Sequence, residues 1–240
     1  MEQPNLSYRP LYQQIKDVLL QRIVSGEWAP GTFIPSESAL ANEYKVSVGT
    51  LRKALDSLAS DNVVIRYQGK GTVVATHDQD SSLFRFFHLT RLDGTRSLPT
   101  SRILVRTKRQ ASEQEREALA LAHGAEVIHI QRVRELEGTP ALLEDVVVCA
   151  KRFATLDSHP ETLPNTLYQL YQQRFGSNVS HAEERLFAVA ASKDEQTHLG
   201  IAEGTPILEI RRIAKDIQDQ ALEYRVSRCE TRHHCYFNEL

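Results

Sequence analysis

One stretch of this sequence occurs twice. Residues 112–133 align with residues 192–213, so the second copy begins 80 positions after the first. Each copy opens with Ser-x-x-Glu, a capping box in which the serine and the glutamate each satisfy a free backbone N–H group of the helix start. In both copies a short amphipathic helix, a glycine and a strand with alternating apolar residues follow. The repeat predicts that one supersecondary unit is present twice.

The repeat continues beyond the aligned segment with a turn and a second strand. Residues 141–144 align with residues 220–223 once the offset slips by one position. The turns before them are short, at residues 137–140 and 218–220, and neighbouring strands joined by tight turns form antiparallel sheets. Each unit is therefore predicted to be helix, strand, turn, strand. The domain that contains both is predicted to be α+β, with its helices packed on one side of an antiparallel sheet.

The first 75 residues have a different pattern, which indicates three short helices. Apolar residues recur at every fourth position of the first helix: Leu11, Ile15, Leu19 and Ile23. Ser36 is positioned to cap a helix over residues 37–44. Ser47 is positioned to cap a helix over residues 48–60, so the turn between these two helices is only residues 45–47. Two helices joined by so short a turn predict a helix-turn-helix.

A β-hairpin follows the third helix. Residues 63–66 and 72–75 have strand patterns on either side of a glycine-containing turn, and a hairpin in this place is typical of a wing. Residues 76–83 are polar and acidic and are predicted to be a linker. Residues 1–75 are therefore predicted to be a winged helix-turn-helix DNA-binding domain, and residues 84–240 a second domain.

Composition and charge restrict the class of protein. The chain is 41% hydrophobic and 25% charged, which is ordinary for a globular protein. Its net charge is −2, and residues 1–75 hold eight Lys and Arg against seven Asp and Glu, so any DNA affinity must depend on where the charges lie. No long apolar run or signal-peptide pattern is present, so we expect a cytoplasmic protein without membrane contact. The three cysteines form neither a disulfide framework nor a CxxC pair, so no metal and no cofactor is expected.

The third helix and the hairpin turn provide the candidate DNA-binding residues. Leu51, Leu55 and Leu58 bury one face of the helix, and in a helix-turn-helix the N-terminal end of this helix enters the major groove. Arg52 can bind phosphate or guanine, whereas Lys53 suits phosphate. The alternative is a solvated helix face and an ordinary turn, which we favour for Lys53 taken alone. The predicted set is Ser36, Ser47, Gly49, Thr50, Arg52, Lys53, Gln68, Gly69, Lys70 and Gly71.

Two arginines of the second domain suggest a charged site. Arg132 and Arg134 are two positions apart on a predicted strand, so both side chains point to the same face. Such a pair needs a carboxylate or an anion beside it. Glu144 on the following strand is a candidate, and its counterpart in the second copy is Glu223. Spacing alone favours a cross-strand ion pair on a solvated face; if the face lines a cleft, the guanidinium groups suit a phosphate or carboxylate ligand.

No catalytic arrangement stands out in the sequence. The motifs HExxH, GxSxG and HxE…PCxxC do not occur. Gly69-Lys70-Gly71-Thr72 precedes a strand, whereas a phosphate-binding loop requires a following helix. No catalytic residue is therefore predicted. A lyase-like enzyme tethered by the winged helix, and a protein-interaction module, remain as alternatives to a DNA-binding regulator.

Short motifs spread over the first 75 residues together resemble the winged-helix domain of the GntR family: Tyr12-x-Gln14-Ile15, Gly26, Pro30-Gly31, Ile34-Pro35-Ser36-Glu37, Leu40-Ala41, Val46-Ser47, Thr50-x-Arg52-x-Ala54-Leu55 and Gln68-Gly69-Lys70-Gly71-Thr72. Residues 84–240 resemble the UTRA effector-binding domain of the HutC subfamily, whose fold is like that of chorismate lyase. The resemblance implies a homodimer that binds a palindromic operator in double-stranded DNA. It also implies repression by default and release by a small-molecule effector, which we expect to be anionic.

Position within the UTRA resemblance also implies a set of effector-binding residues. These are Phe87, His88, Arg132, Arg134, Glu144, Tyr168, Glu223 and Tyr236. The segment around Phe87 and His88 resembles a loop whose backbone amides hold an anionic group. Relatives with a serine in this loop bind sugar phosphates, whereas this chain has Phe86-Phe87-His88-Leu89.

The DNA-binding domain departs from the family at two positions. The family usually has a basic residue where this chain has Ser38 and Val48. Base recognition is therefore predicted to depend on Thr50, Arg52 and the hairpin turn.

Overall fold

The structure is a computed structural model that describes residues 9–76, 86–95, 97–158 and 163–238. The chain divides into two compact units after Thr76. Apart from Thr76, the predicted linker of residues 76–83 lies outside the described residues.

The first unit contains three helices and a two-stranded hairpin: α1 (Leu11–Val24), α2 (Glu37–Glu43), α3 (Val48–Ser60), β1 (Val64–Tyr67) and β2 (Gly71–Val74). Both predicted caps are confirmed. The Ser36 hydroxyl accepts a hydrogen bond from Ala39 N at 3.2 Å, and the Ser47 hydroxyl accepts one from Thr50 N at 3.1 Å. The antiparallel strands β1 and β2 lie within one residue of their predicted bounds.

Leucines from all three helices fill the core of the first unit. The side chains without any exposed surface include Leu19, Leu40, Leu51, Leu55 and Leu58. Complete burial of one leucine contributes about 1.5–3 kcal/mol. The core therefore fixes which face of α3 is buried and leaves its other face to solvent.

The second unit is built on a six-stranded antiparallel sheet. Its elements in chain order are β3 (Leu89–Arg91), β4 (Thr100–Gln110), α4 (Glu113–Ala118), β5 (Glu126–Leu136), β6 (Thr139–Cys149), α5 (Leu167–Phe175), β7 (His181–Ala190), α6 (Lys193–Leu199), β8 (Pro206–Lys215), β9 (Ala221–Cys229) and β10 (His234–Tyr236). The strand order is β4-β5-β6-β9-β8-β7, and β3 pairs with β10 in a separate ribbon. The large sheet thus consists of two three-stranded halves that meet between β6 and β9.

The two halves are the two copies of the sequence repeat. Capping boxes are present at both Ser112 and Ser192. Gly124 and Gly204 have φ values of 75° and 84°, a region that favours glycine. Each unit is larger than predicted, because β4 precedes α4 and β7 precedes α6. These two are the edge strands, whose residues are mostly exposed, so packing does not require their sequences to repeat.

The prediction that the helices pack on one side of the sheet is wrong. On one face, Leu167 of α5 packs in a cluster with Ile128 and Val146. On the other face, Val127 and Val147 pack in a cluster that includes the end of α4. Alternate strand residues point to opposite faces. Since Val146 and Val147 are both buried, the centre of the sheet is apolar on both faces and each face needs a cover.

The ribbon of β3 and β10 lies on the same face as α5. Leu89 of β3 is paired with Tyr236 of β10 and packs against Leu142 and Cys229 of the large sheet. Leu142 and Cys229 are themselves register partners on β6 and β9. The ribbon therefore holds residues 86–88, which precede β3, over the α5 face of the sheet.

Candidate functional site: a buried arginine pocket

A pocket lies between the sheet, the start of α5 and residues 86–88. Seven of the eight residues expected to bind an effector line it: Phe87, His88, Arg132, Arg134, Glu144, Tyr168 and Tyr236. The eighth, Glu223, lies behind this wall, where it accepts a hydrogen bond from the Tyr168 hydroxyl. The wall also contains polar residues that the sequence analysis did not select, among them Asn165, Arg212, Arg225 and Ser227.

Strand register brings the charged residues into one layer. Arg132 lies opposite Glu144, and Glu144 lies opposite Ser227. Arg212 lies opposite Arg225 on the neighbouring pair of strands. Because alternate residues of a strand share a face, all of these side chains project towards α5.

Glu144 lies at the centre of this layer. Its carboxylate accepts hydrogen bonds from Arg132 Nε at 2.7 Å and from Ser227 Oγ at 3.2 Å. The side chains of Arg132 and Glu144 are only 1% and 3% exposed, so the expected cross-strand ion pair forms but is buried rather than solvated. Burial by itself raises the pKa of Glu144. The charges of Arg132, Arg225 and Arg134 outweigh that effect and hold the pKa well below its usual range.

Glu223, the counterpart of Glu144 in the second half, is completely buried. It accepts hydrogen bonds from the hydroxyls of Tyr168 at 3.2 Å and Tyr171 at 2.8 Å. Arg225 donates to the same carboxylate through Nε at 2.9 Å and Nη2 at 3.0 Å. Burial and the charge of Glu223 raise the pKa of Tyr171 well above its usual value, so its phenol stays protonated as a donor. Glu223 therefore fixes the side chains of Tyr168 and Arg225, both of which line the pocket.

Arg212 forms a second ion pair at the pocket. Its Nε and Nη2 atoms bind Glu184 at 2.6 Å and 2.5 Å, and it also donates to the carbonyl of Phe86. The hydroxyl of Tyr236 donates to the same Glu184 carboxylate. The repeat aligns Arg212 with Arg132, and this alignment is the signal that identifies Arg212 from the sequence.

Arg134 differs from its neighbours in having an unused edge. Its Nη1 lies 3.4 Å from the carbonyl of Asn165 and 3.6 Å from Glu144. Its Nε and Nη2 are buried, and within the described part of the chain neither has a hydrogen-bond partner. The ring of Phe87 lies over the guanidinium, with its centre 5.5 Å from Cζ. Burial and the charge of Arg132 lower the pKa of Arg134 to about 9.

Unpaired buried donors are costly, so Arg134 favours a further acceptor beside its Nε and Nη2. The start of α5 adds to this preference. Thr166 and Leu167 line the pocket, and α5 begins at Leu167. The first N–H groups of a helix lack partners within it and carry partial positive charge. The pocket is therefore suited to a negatively charged group.

In the first unit, the predicted DNA-binding residues of α2 and α3 lie at the surface. Ser36, Ser47, Gly49, Arg52 and Lys53 are exposed, and Thr50 is half-buried. The side chain of Arg52 is held by Glu37, which accepts from Nε at 3.1 Å and from Nη2 at 2.9 Å. Glu37 also binds Arg66 of β1. One carboxylate thus fixes both arginines.

Lys53 and the hairpin turn complete this surface. The ammonium of Lys53 lies 4.3 Å from the centre of the Tyr12 ring, so part of its role is to pack on α1. The turn residues Gln68, Gly69, Lys70 and Gly71 are exposed. Gly69 and Gly71 have φ values of 72° and 118°, which other residues rarely adopt. Both chain neighbours of Lys70 therefore lack a side chain, and the ring of Phe33 lies beside Gly71.

Other kinds of site find no support in the residues described. No group of three His, Cys, Asp or Glu side chains within them is arranged to hold a metal ion. The thiols of Cys149, Cys229 and Cys235 are free. None of the helices so described is long and apolar enough to cross a membrane.

Two family models match this chain. Residues 11–74 match the model of bacterial regulatory proteins of the gntR family, and residues 95–234 match the model of the UTRA domain. The two matches cover the helix-turn-helix with its hairpin and the sheet that holds the pocket.

Three individual proteins are also similar to this chain. The probable fructoselysine utilization operon transcriptional repressor of Escherichia coli K12 is 29% identical over 89% of this chain and 88% of its own length. The histidine utilization repressor of Pseudomonas putida is 30% identical over 85% of this chain and 81% of its own length. The solved ligand-binding domain of a GntR-family regulator from Bordetella bronchiseptica is 30% identical, with a TM-score of 0.60 over 65% of this chain and 98% of that domain.

Proposed function

We propose an effector site from one premise: this chain belongs to the gntR family of bacterial regulatory proteins and carries a UTRA domain. The proposed effector is a small anion bound at Arg134. Membership makes the chain a ligand-responsive DNA-binding repressor, like the relatives named above. The pocket of the second unit is then the effector site, and the helix-turn-helix with its wing is the DNA-binding surface.

The observation that carries this proposal is the unused edge of Arg134. A buried guanidinium whose Nε and Nη2 have no partner among the described residues is unfavourable in the ligand-free protein. An anionic group that accepts from both atoms would remove that cost and add two charge-assisted hydrogen bonds. Binding of the effector would therefore pair the two Arg134 donors that lack a partner in the ligand-free protein.

The other predicted pocket residues support this assignment in distinct ways. Arg132 and Glu144 hold each other and keep the strand face rigid behind Arg134. Tyr168, fixed by Glu223, and Tyr236, fixed by Glu184, border the remaining space. Phe87 and His88 contribute aromatic walls, which suit the body of a small organic molecule.

On the DNA side, we propose that base recognition depends on Thr50 and Arg52 of α3 together with the hairpin tip. Arg52 is exposed and oriented by Glu37, and Lys70 lies between two glycines that allow close approach. Two further candidates, Ser47 and Gly49, lie at the N-terminus of α3, the end that enters the major groove in this motif. A homodimer on a palindromic operator, in the cytoplasm, is part of the same proposal.

A thermal-shift screen against organic acids, amino-acid catabolites and sugar phosphates tests the effector assignment. The relatives are named for fructoselysine and histidine utilization, so intermediates of those two pathways belong in the screen. We expect at least one anionic compound to raise the melting temperature, because a ligand that binds only the native state stabilises it.

The matched variants are Arg134→Ala and Arg152→Ala. Arg152 is also partly buried in an ion pair, with Asp216, but it does not line the pocket. Arg134→Ala should abolish the shift, and Arg152→Ala should retain it. An unchanged shift in Arg134→Ala would place the effector elsewhere.

The enzyme alternative makes a different prediction. A lyase-like activity requires turnover, whereas we expect any compound that binds to be recovered unchanged after prolonged incubation with the protein. Product formation that disappears with a pocket variant would favour the enzyme.

A further inference from the structure

We infer that the anionic group of the effector is a single carboxylate, bound side-on by the Nε–Nη2 edge of Arg134, and not a phosphate monoester. This inference deepens the proposed function and rests on it, since it names the chemistry of the group that the pocket takes. Geometry, charge balance and the lining of the pocket each support it.

The shape of the unused edge of Arg134 favours a carboxylate. The N–H groups of Nε and Nη2 on one side of a guanidinium are parallel and match the two oxygens of a carboxylate. Within the described residues, the same pair of atoms holds a carboxylate four times: Arg22 with Glu27, Arg52 with Glu37, Arg225 with Glu223, and Arg212 with Glu184. Arg134 lines the pocket, and its own Nε and Nη2 have no carboxylate partner among the described residues.

The balance of buried charge at the pocket also favours a carboxylate. Among the residues described, four guanidinium groups meet at the pocket, and three carboxylates pair with them: Arg132, Arg134, Arg212 and Arg225, with Glu144, Glu184 and Glu223. Glu144 lies closer to Arg132 than to Arg134, at 2.7 Å against 3.6 Å. One positive charge is thus left over. A carboxylate carries one negative charge and balances it, whereas a phosphate monoester carries about −1.5 to −2 at pH 7 and leaves buried negative charge.

Several of the side chains around Arg134 are apolar. The ring of Phe87 covers the guanidinium of Arg134, and Leu142 lies opposite Arg134 on the neighbouring strand. Leu89, Leu167 and Ile210 also line the pocket. These apolar side chains beside Arg134 suit a molecule with one anionic end and an apolar body.

The experiment compares ligands that differ only in the anionic group. Benzoate and phenyl phosphate form one pair, and acetate and inorganic phosphate form a second pair without the ring. Binding is followed at constant ionic strength by the ¹H–¹⁵Nε signals of the arginine side chains, which report on the guanidinium itself. We expect benzoate to shift the Arg134 signal, identified by its loss in Arg134→Met, and to bind at least about tenfold more tightly than phenyl phosphate.

Two variants separate charge from geometry. Arg134→Lys keeps the positive charge but has no two-pronged edge, so it should weaken benzoate binding about tenfold or more. Arg152→Lys makes the same exchange at an ion pair outside the pocket and should leave benzoate binding unchanged. A shift of the Arg134 signal by the carboxylates, lost in Arg134→Lys, supports the inference.

Two contrary results have different meanings. If phenyl phosphate or inorganic phosphate binds at Arg134 as tightly as its carboxylate partner, the carboxylate inference is wrong and the proposed anion pocket stands. If none of the four anions disturbs the Arg134 signal, both the inference and the proposed effector site are wrong.

Discussion

At the scale of single residues, the pocket depends on Glu144 more than on any exposed charge. Its carboxylate faces Arg132, Arg225 and Arg134 in a buried layer. Removing one member of a buried ionic group typically costs about 3–5 kcal/mol, because the partners are left buried without a counter-charge. We expect Glu144→Gln to lower the free energy of unfolding at pH 7 by about this amount, measured by urea denaturation.

The control for this prediction is Glu137→Gln. Glu137 binds Arg91 at 2.8 Å, but both side chains are about half exposed, so its loss should cost less than about 1 kcal/mol. The pKa of Glu144 is lowered on folding, so its charge stabilises the protein above the ordinary carboxyl pKa of 4.5 and progressively less below it. The difference in free energy of unfolding between Glu144→Gln and the parent should therefore narrow as the pH falls below about 4.5. A difference that stays constant with pH would contradict the role assigned to the charge of Glu144.

Arg134 leads to the opposite expectation for stability. Methionine fills a similar volume and has no buried donors to satisfy, so Arg134→Met should raise the free energy of unfolding of the ligand-free protein by about 1–3 kcal/mol. The same variant should lose the ligand-induced rise in melting temperature. Destabilisation by Arg134→Met would mean that the guanidinium makes favourable contacts that outweigh its unused edge.

Cys229 gives a prediction about reactivity. Its thiol is buried against the β3–β10 ribbon, and burial together with the charge of Glu144 raises its pKa to about 12. Thiolate is the reactive form, so native Cys229 should react with a thiol reagent far more slowly than the partly exposed Cys149 and Cys235. Cys149→Ser should remove part of the fast phase, and Cys229→Ser should leave it intact. Fast labelling of Cys229 would show that the ribbon opens readily.

Among the secondary-structure elements, α4 and α6 have starts that the local sequence determines clearly, through the two capping boxes. The Ser112 and Ser192 backbone N–H groups are each bound by the glutamate three residues later, at 2.8 Å and 2.7 Å. We expect Ser112→Ala and Ser192→Ala each to cost about 1 kcal/mol in thermal or urea unfolding. Ser112→Asp, which retains a capping acceptor, should recover most of that loss. An alanine variant as stable as the parent would contradict the assigned cap.

Elements that depend on local rules could be predicted from the sequence. The caps at Ser36 and Ser47, the short turn between α2 and α3 and the wing all follow from nearby residues, and each was found. The edge strands β4 and β7 were not predicted as part of the repeat, because solvent on one side places few demands on their side chains.

Features that depend on packing between distant strands were harder to predict. The burial of Val146 and Val147 on opposite faces explains why helices cover both sides of the sheet. The pair Arg132 and Glu144 was found from strand spacing, but its burial was not, because only the register of β9 and the cover by α5 remove it from water. Arg225 was missed although it lies two positions from Glu223 on β9, and its closeness to Glu144 depends on the pairing of β6 with β9.

At the scale of the whole molecule, the chain joins a nearly neutral DNA-binding domain to a sensor. Despite this low net charge, contacts to DNA phosphates should make the affinity for DNA depend steeply on salt concentration. A dimer that makes about 6–10 phosphate contacts loses roughly 10³–10⁵ in affinity between 50 and 200 mM salt. Arg52→Ala should also reduce discrimination between the operator and other sequences in a gel-shift titration. A flat salt response would favour the interaction-module alternative.

Effector and operator binding are linked through one free energy of coupling. An effector that weakens DNA binding must itself bind more weakly to the protein–DNA complex, by the same factor. The reciprocal loss can be measured by titrating the effector into free protein and into the complex.

We propose that an anion at Arg134 controls release from DNA. Fluorescence anisotropy measures the affinity of the protein for a duplex selected from a random pool, with and without the anion that most stabilises the protein. We expect this anion to lower the DNA affinity of the parent, and Arg134→Met to bind the duplex equally well but no longer to respond to the anion. An equal response in parent and variant, or a parent that binds DNA as tightly with the anion as without it, would show that Arg134 does not control release.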